Sequence, residues 1–203
     1  MMGHSFRHLR LVLKHRHRVI ANASHLGIFF QALRHDLSKF SRSEFVVSAR
    51  YYVGDHSPVY EERLRNHYFS TVCQHHVKRN KHHWEYWTDF FAGRIIVKSM
   101  PWNWAMEYVA DMLSASYCYH PESFKRETPL AYFRRFKDAY IMTARTKEFI
   151  EWCLEQFALF EWKGLKKKLT KEKYREIASR TPEIEVRETL RPFGDLPTLK
   201  PDI

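Results

Sequence analysis

The chain is short of glycine, with six in 203 residues. Few positions are therefore free to take the left-handed conformations that tight hairpins require. Turn signals are correspondingly sparse, which argues against a many-stranded sheet and for helices. Cysteine is scarce as well: Cys73, Cys118 and Cys153 are odd in number and far apart. That spacing excludes a disulfide framework and a thiolate zinc site and leaves reduced core thiols. No stretch approaches the roughly 18 apolar residues of a membrane span. The first 25 residues alternate basic and apolar positions without the continuous apolar segment of a secretory signal. We expect a cytoplasmic protein with no membrane partner.

What is present is a folded composition with a strong charge bias. Hydrophobic residues make up 44% and charged residues 28%, which is globular and not disordered. The net charge of +11 creates a positive field that attracts phosphates, nucleic acid or acidic surfaces. Histidine is the main anomaly, at thirteen residues. His4, His8, His15, His17 and His25 precede residue 35, and His67, His75, His76, His82 and His83 follow it. Imidazole is the commonest protein ligand for first-row metals.

The chain is organised around LRHDLSKFSRSEF, residues 33–45, and its His35-Asp36 pair. Neighbouring side chains on a helix project about 100° apart, so both reach one ion only where a helix presents its flank to a cleft. Leu26, Phe29, Phe30, Leu33, Leu37 and Phe40 recur at three- and four-residue spacing. That pattern predicts a core-facing helix from Gly27 to about Phe40. Asp36 falls within this stripe, where an unpaired carboxylate is costly to bury and needs a cation or a strong set of hydrogen bonds.

Residues 5–23 read as an amphipathic helix with Val12, His15 and Val19 on one face; His17 competes with His15, grouping with Leu13 and Ile20. Ser41 to Glu44 has the form of a capping box, starting a new helix. A longer helix is expected over Val59–Lys78, with Leu64, Tyr68, Val72 and His75 or His76 on its buried side. Asn80-Lys81 then bends the chain, so that His82 or His83 folds back to make a compact ligand cluster. TDFFAGRIIVKSM reads as a loop or small hairpin, and Pro101 suits the first turn of a helix. In that helix Trp104, Tyr108, Asp111 and Ala115 share a side, making Asp111 a second carboxylate among apolar neighbours; the rival reading is an ion pair with arginine.

Two more amphipathic helices follow Pro129, and then a basic stretch, KGLKKKLTKEKYREIASR, which is either a solvated face or a nucleic-acid contact. From Thr181 onward four prolines point to an extended arm or poorly ordered tail. The expected fold class is all-α: a helical metal-binding domain over residues 1–160 with a loop or hairpin insertion, then a basic helical extension and Pro-rich C-terminal arm over 161–203.

His15, His35-Asp36 with Lys39, the paired histidines and Asp111 occur in that order. The order resembles the HD-domain metal-dependent phosphohydrolase superfamily, an all-helical fold whose signature is a first His, a contiguous His-Asp and a distal Asp. HDLSK matches its HDxxK form. HRHRVIANASHLG, HDLSKFSRSEF, HHVKRNKHHWEYW and EYVADM are similar to an uncharacterised HD-like family of phages and bacteria, over roughly residues 8–118 and more faintly to about 157.

The resemblance implies an HD-like helical bundle with His15, His35, Asp36 and Asp111 on a first metal. In two-metal members the aspartate bridges to a second ion, for which His75, His76, His82 and His83 are available. The cofactor implied is one or two divalent ions of manganese, iron, cobalt, nickel or zinc. The implied activity is hydrolysis of a phosphate ester in a nucleotide-like anionic small molecule. Asp36 would be central to catalysis, and Lys39 is placed to neutralise charge on the transferring phosphoryl group. Two other functions fit the same residues: a di-iron HD-type oxygenase, and a basic nucleic-acid-binding protein with a structural metal. Oligomeric state is left open.

Overall fold

The computed structural model describes residues 2–54, 56–119 and 121–188, the side chains of residues 2–4 and 188 excepted. Val12, His15, Val19, Ala23 and Leu26 form one inward stripe, which makes the first helix, α1 (Met2–His25), amphipathic. The helix ends in a Schellman arrangement: Gly27 is left-handed (φ 72°), and the Ile28 amide bonds to the Ala23 carbonyl at 3.1 Å and the Gly27 amide to Ser24 at 3.3 Å. A side chain at residue 27 would also strike Lys167, whose Cδ would lie 2.7 Å from an added Cβ.

The helix expected from Gly27 to Phe40 is not continuous. It breaks into a single turn, α2 (Phe29–Ala32), an irregular turn over residues 33–36, and a 3-10 helix over Leu37–Phe40. Only Leu26 of the predicted apolar stripe is buried; Phe29, Phe30, Leu33, Leu37 and Phe40 are exposed. The inward positions are Ile28, Ala32, His35 and Asp36: the first three keep helical spacing but lie on a different face from the apolar stripe, and at Asp36 the left-handed backbone (φ 55°) breaks the run before Leu37. Ser41 then caps α3 (Arg42–Tyr51), its hydroxyl accepting the Glu44 amide.

The helix expected over Val59–Lys78 is also two: α4 (Pro58–Arg65) and α5 (Thr71–Val77). His67 and Tyr68, both left-handed, separate them, so Leu64 and Tyr68 face solvent while Val72 and His76 are buried. The break is held by Glu62. Its buried carboxylate accepts from the Ser70 hydroxyl at 2.5 Å, the Thr71 amide at 3.0 Å and hydroxyl at 2.6 Å, and the Val72 amide at 3.3 Å, satisfying the free amides at the start of α5.

A 3-10 helix over Trp84–Trp87 leads into a hairpin of β1 (Thr88–Phe91) and β2 (Arg94–Lys98). Its two-residue turn, Ala92-Gly93, has positive φ at both positions, as a type I′ turn requires. The chain after Thr181 is extended but docked: β3 (Ile184–Glu188) adds antiparallel to β2, from Lys98↔Ile184 to Arg94↔Glu188. The rest of the expected arm, 189–203, lies outside the described residues.

After Pro101 comes α6 (Trp102–Tyr119), then α7 (Thr128–Phe136), α8 (Ala144–Phe160), a 3-10 helix over Glu161–Leu165, and α9 (Lys167–Arg180). Ala105, Met106, Val109, Ala110 and Leu113 bury α6 between α1 and α8. In turn α7 and α9 pack on α8, and Leu165 and Ile177 join the same core as Phe149, Ile150 and Leu154. The protein is therefore largely all-α, with one small three-stranded sheet among the described residues. Cys73, Cys118 and Cys153 are free thiols. Among the described residues, no helix is long and apolar enough to cross a membrane.

Two phenylalanines test this division between inside and outside. Phe149 is fully buried and Phe30 is 82% exposed. Phe149→Ala should lower the unfolding free energy in urea by about 3–5 kcal/mol, and Phe30→Ala by about 0.5 kcal/mol or less. Equal losses would contradict the placement of residues 29–40.

Candidate metal centre

Four segments deliver polar side chains to one buried point. From α1 comes His15, from the turn over 33–36 come His35 and Asp36, and from α5 and the bend after it come His76, His82 and His83. The last segment, α6, supplies Glu107 and Asp111, four residues apart on one helical face. All but His83 and Asp111 are buried, and those two are partly exposed.

The left-handed backbone at Asp36 explains how neighbouring side chains meet: His35 Nε2 lies 3.2 Å from Asp36 Oδ2. An aspartate tolerates this conformation better than most residues. Across the cluster, His15 Nε2 is 2.8 Å and His35 Nε2 3.7 Å from Asp111 Oδ1. His76 Nε2 and His82 Nε2 approach Asp36 Oδ1 at 3.2 and 3.4 Å.

The opposite ring nitrogens are anchored by two buried glutamates. Glu107 faces His35 Nδ1 at 2.9 Å and His82 Nδ1 at 3.3 Å, and is itself held by Gln31, which Asn103 holds in turn at 2.7 Å. Glu44 faces His76 Nδ1 at 2.8 Å and His75 Nδ1 at 2.5 Å. With Nδ1 donating to a carboxylate, His35, His76 and His82 turn Nε2 inward, where each can ligate a metal once deprotonated, the usual support of a metal-ligating histidine.

That leaves unsatisfied atoms. His15 Nε2, His35 Nε2, His76 Nε2, His82 Nε2 and both Asp36 oxygens are buried without a hydrogen-bond partner. They lie at ion-pair distance from one another but without hydrogen-bond geometry, and the Lys39 ammonium, 2.6 Å from Asp36 Oδ2, offsets only one of them. Leaving so many polar atoms unmet costs several kcal/mol. A cation relieves that cost. The donor atoms form three groups whose members all lie within 4.8 Å of one another: Asp36, His76, His82 and His83; His15, His35 and Asp111; and His35, His82 and Glu107. These buried groups can hold a metal ion.

The charges are strongly coupled. Burial alone would raise the Asp36 carboxyl, yet His35, Lys39 and His76 hold it well below the usual carboxylate range. Asp111 is likewise lowered against burial by His15, His35 and His82. Burial opposes protonation of His35, but Asp36 and Glu107 lift its pKa to about 10. Burial, with His82 and His76 beside it, pushes His83 well below the normal imidazole value.

The structure brings together seven residues singled out from the sequence: His15, His35, Asp36, His76, His82, His83 and Asp111. Lys39 stands at their edge, paired with Asp36. His75 points away, with Nδ1 on Glu44 and Nε2 3.0 Å from the Ser43 hydroxyl. Sequence reasoning missed Glu107, although its spacing of four from Asp111 was a usable signal. It also took Glu44 for a reciprocal cap. The Ser41 amide instead bonds to the Ser38 carbonyl at 2.9 Å, which frees the Glu44 carboxylate for the two histidines.

A family described only as a family of unknown function, DUF5662, matches residues 4–156. The chain belongs to the DUF5662 family. Every cluster residue lies inside the matched stretch, whereas α9 and β3 of this DUF5662 chain lie beyond it. No curated protein and no solved structure matches the chain.

The supporting carboxylate gives a pH signature. Against its own burial, Glu107 is held at about 2 by His35 and His82, compared with about 4.3 in an unfolded chain. Because the folded value is the lower one, its stabilisation is present above about pH 4.3 and is lost as pH falls through about 2. The shift corresponds to something on the order of 3 kcal/mol. In metal-free protein, Glu107→Gln should flatten the acid limb of stability against pH in denaturant melts. An unchanged limb would show that Glu107 does not carry this coupling.

Proposed function

We propose that the protein is a metal-dependent phosphohydrolase acting on a phosphate ester of nucleotide type. The observation that carries this reading is the convergence of unpartnered imidazole and carboxylate atoms on one buried point beside a partly exposed ammonium group. The order of the ligating residues, and the HDLSK segment, resemble the HD-domain phosphohydrolases.

One ion would be held by His15, His35, Asp36 and Asp111, and a second by Asp36, His76, His82 and His83. Asp36 suits the bridging position, since Oδ1 faces His76 and His82 while Oδ2 faces His35. The mixed nitrogen and oxygen donors suit manganese, iron, cobalt, nickel or zinc. When bound, such an ion supplies Lewis acidity, activating water and withdrawing charge from a phosphoryl oxygen.

The chain's own residues set the geometry around that chemistry. Glu107 and Glu44 fix the tautomers and aim of His35, His82 and His76. Lys39, anchored on Asp36 but reaching solvent, meets an incoming phosphate and offsets the charge that grows on it in the transition state. The positive charge of the whole chain favours anionic substrates over neutral ones.

A second reading rests on the richness of the donor set. Five imidazoles and three carboxylates also suffice for a pair of irons that oxidise an organic substrate with dioxygen. Iron content with dioxygen consumption and no phosphate release would select it.

Two substitutions separate binding from turnover in protein purified without a histidine tag. Asp36→Ala should lose metal, measured by elemental analysis, together with phosphate release from nucleotide and phosphodiester substrates. Lys39→Ala should keep the metal and lower turnover by roughly 100-fold, the scale of removing one transition-state charge partner. Full metal occupancy in Asp36→Ala would overturn the ligand assignment.

A further inference from the structure

The segment that carries His35 and Asp36 also carries an exposed apolar shelf. Phe30 is 82% exposed and Leu37 50%, and Phe29, Leu33 and Phe40 are each about two-fifths exposed. The Phe29 and Phe30 rings meet edge to face at 5.5 Å. The segment is fastened along α1: Arg16 donates to the Leu33 carbonyl at 2.5 Å, and Leu26, Ile28 and Ala32 are buried beneath it. Leu13 and Phe6, exposed on α1, carry the apolar surface along that helix.

The segment that carries the shelf, with the helix before it, exposes charge of one sign only among its described residues. Residues 1–43 hold eight lysines and arginines and one acid, Asp36, and Asp36 is buried. Arg7, Arg10, Lys14, Arg34 and Arg42 are exposed. A two-fold contact between copies of this chain through the shelf would set these cations against each other. An anionic partner with flat apolar groups meets both features. Exposed aromatic rings within a basic surface are what unpaired bases and their phosphates require; a duplex, with its bases stacked inside, has no use for the rings.

We propose that this shelf binds single-stranded nucleic acid and so defines the substrate class of the adjoining centre. Bases stack on Phe30 and Phe40. Phosphates lie along Arg34 and Arg42, which the shelf segment and the helix start after it carry, and the backbone passes Lys39, three residues beyond Asp36. The binding half stands on the surface alone; the substrate half rests on the phosphohydrolase reading.

The test uses the full chain with Asp36→Asn to block turnover, and a fluorescein-labelled 20-nucleotide oligothymidylate as the anisotropy probe over a salt series. Binding should be salt-sensitive and stronger than to a duplex of equal length. Phe30→Ala with Phe40→Ala should weaken it about 10-fold or more, since each stacked base contributes about 1–3 kcal/mol. Arg34→Gln with Arg42→Gln should flatten the slope of log affinity against log salt by about 1.4, at about 0.7 per charge on a single strand. All four side chains are exposed, so the fold survives their loss.

Equal affinity in the phenylalanine pair would overturn the shelf. So would binding to phosphatidylserine vesicles but not to the oligonucleotide, or a dimer that Phe30→Asp disperses. Phenylalanine-dependent binding with no cleavage of the strand by wild-type protein loaded in turn with manganese, iron, cobalt, nickel and zinc would retain the shelf and overturn its role as the substrate site of the centre.

Discussion

Imidazole lone pairs and carboxylate oxygens repel when they face one another away from water, and the interior of this protein packs them around a single point. His15, His35, His76 and His82 turn Nε2 inward, and neither oxygen of Asp36 has a hydrogen-bond partner. Glu107 and Glu44 accept from the Nδ1 positions of His35, His82 and His76, so Nε2 is left to face the aspartates, and without a metal a proton there, as on His35, stands in for the ion. The site is shaped for positive charge, and among the described residues Lys39 is the cation that pairs with Asp36 at its edge. The account of function rests on that unmet demand.

The surrounding fold makes the demand rigid. Val19, Ala23 and Leu26 lock α1 to α6 through Met106, Val109, Ala110 and Leu113, and α8 backs α6 with Phe149, Ile150 and Leu154. His15 and Asp111 ride on those two helices, so neither can withdraw without disturbing the core. The histidines of α5 are set by a different device, the Glu62 carboxylate under the helix start. Polar residues thus hold the outer wall of the site, and apolar packing holds the inner one.

Much of this was legible in the chain because the signals were local. The Ser41 cap, the Ala92-Gly93 turn and the helix after Pro101 follow from short-range chemistry. Periodicity kept His15 and His17 both open, and burial of the Val12 and Val19 face decides for His15. The failures share a cause. Phe29 to Phe40 match a helical period, but the segment buries its other face, through Ile28, Ala32 and His35, and a left-handed aspartate with no glycine to mark it breaks the run before Leu37. The break at His67 and Tyr68 has no glycine or proline to announce it, and its cap, Glu62, sits eight residues before Ser70. Glu44 and Glu107 were missed because their work is to orient other side chains, which only three-dimensional proximity reveals.

A metal at this point would be visible by diffraction from crystals of tag-free protein, recorded on both sides of the manganese, iron, cobalt, nickel and zinc absorption edges. An anomalous peak is expected about 2.0–2.2 Å from His35 Nε2 and from an Asp36 oxygen. Absence of any anomalous scatterer, with those atoms instead paired by direct hydrogen bonds to one another, would contradict it.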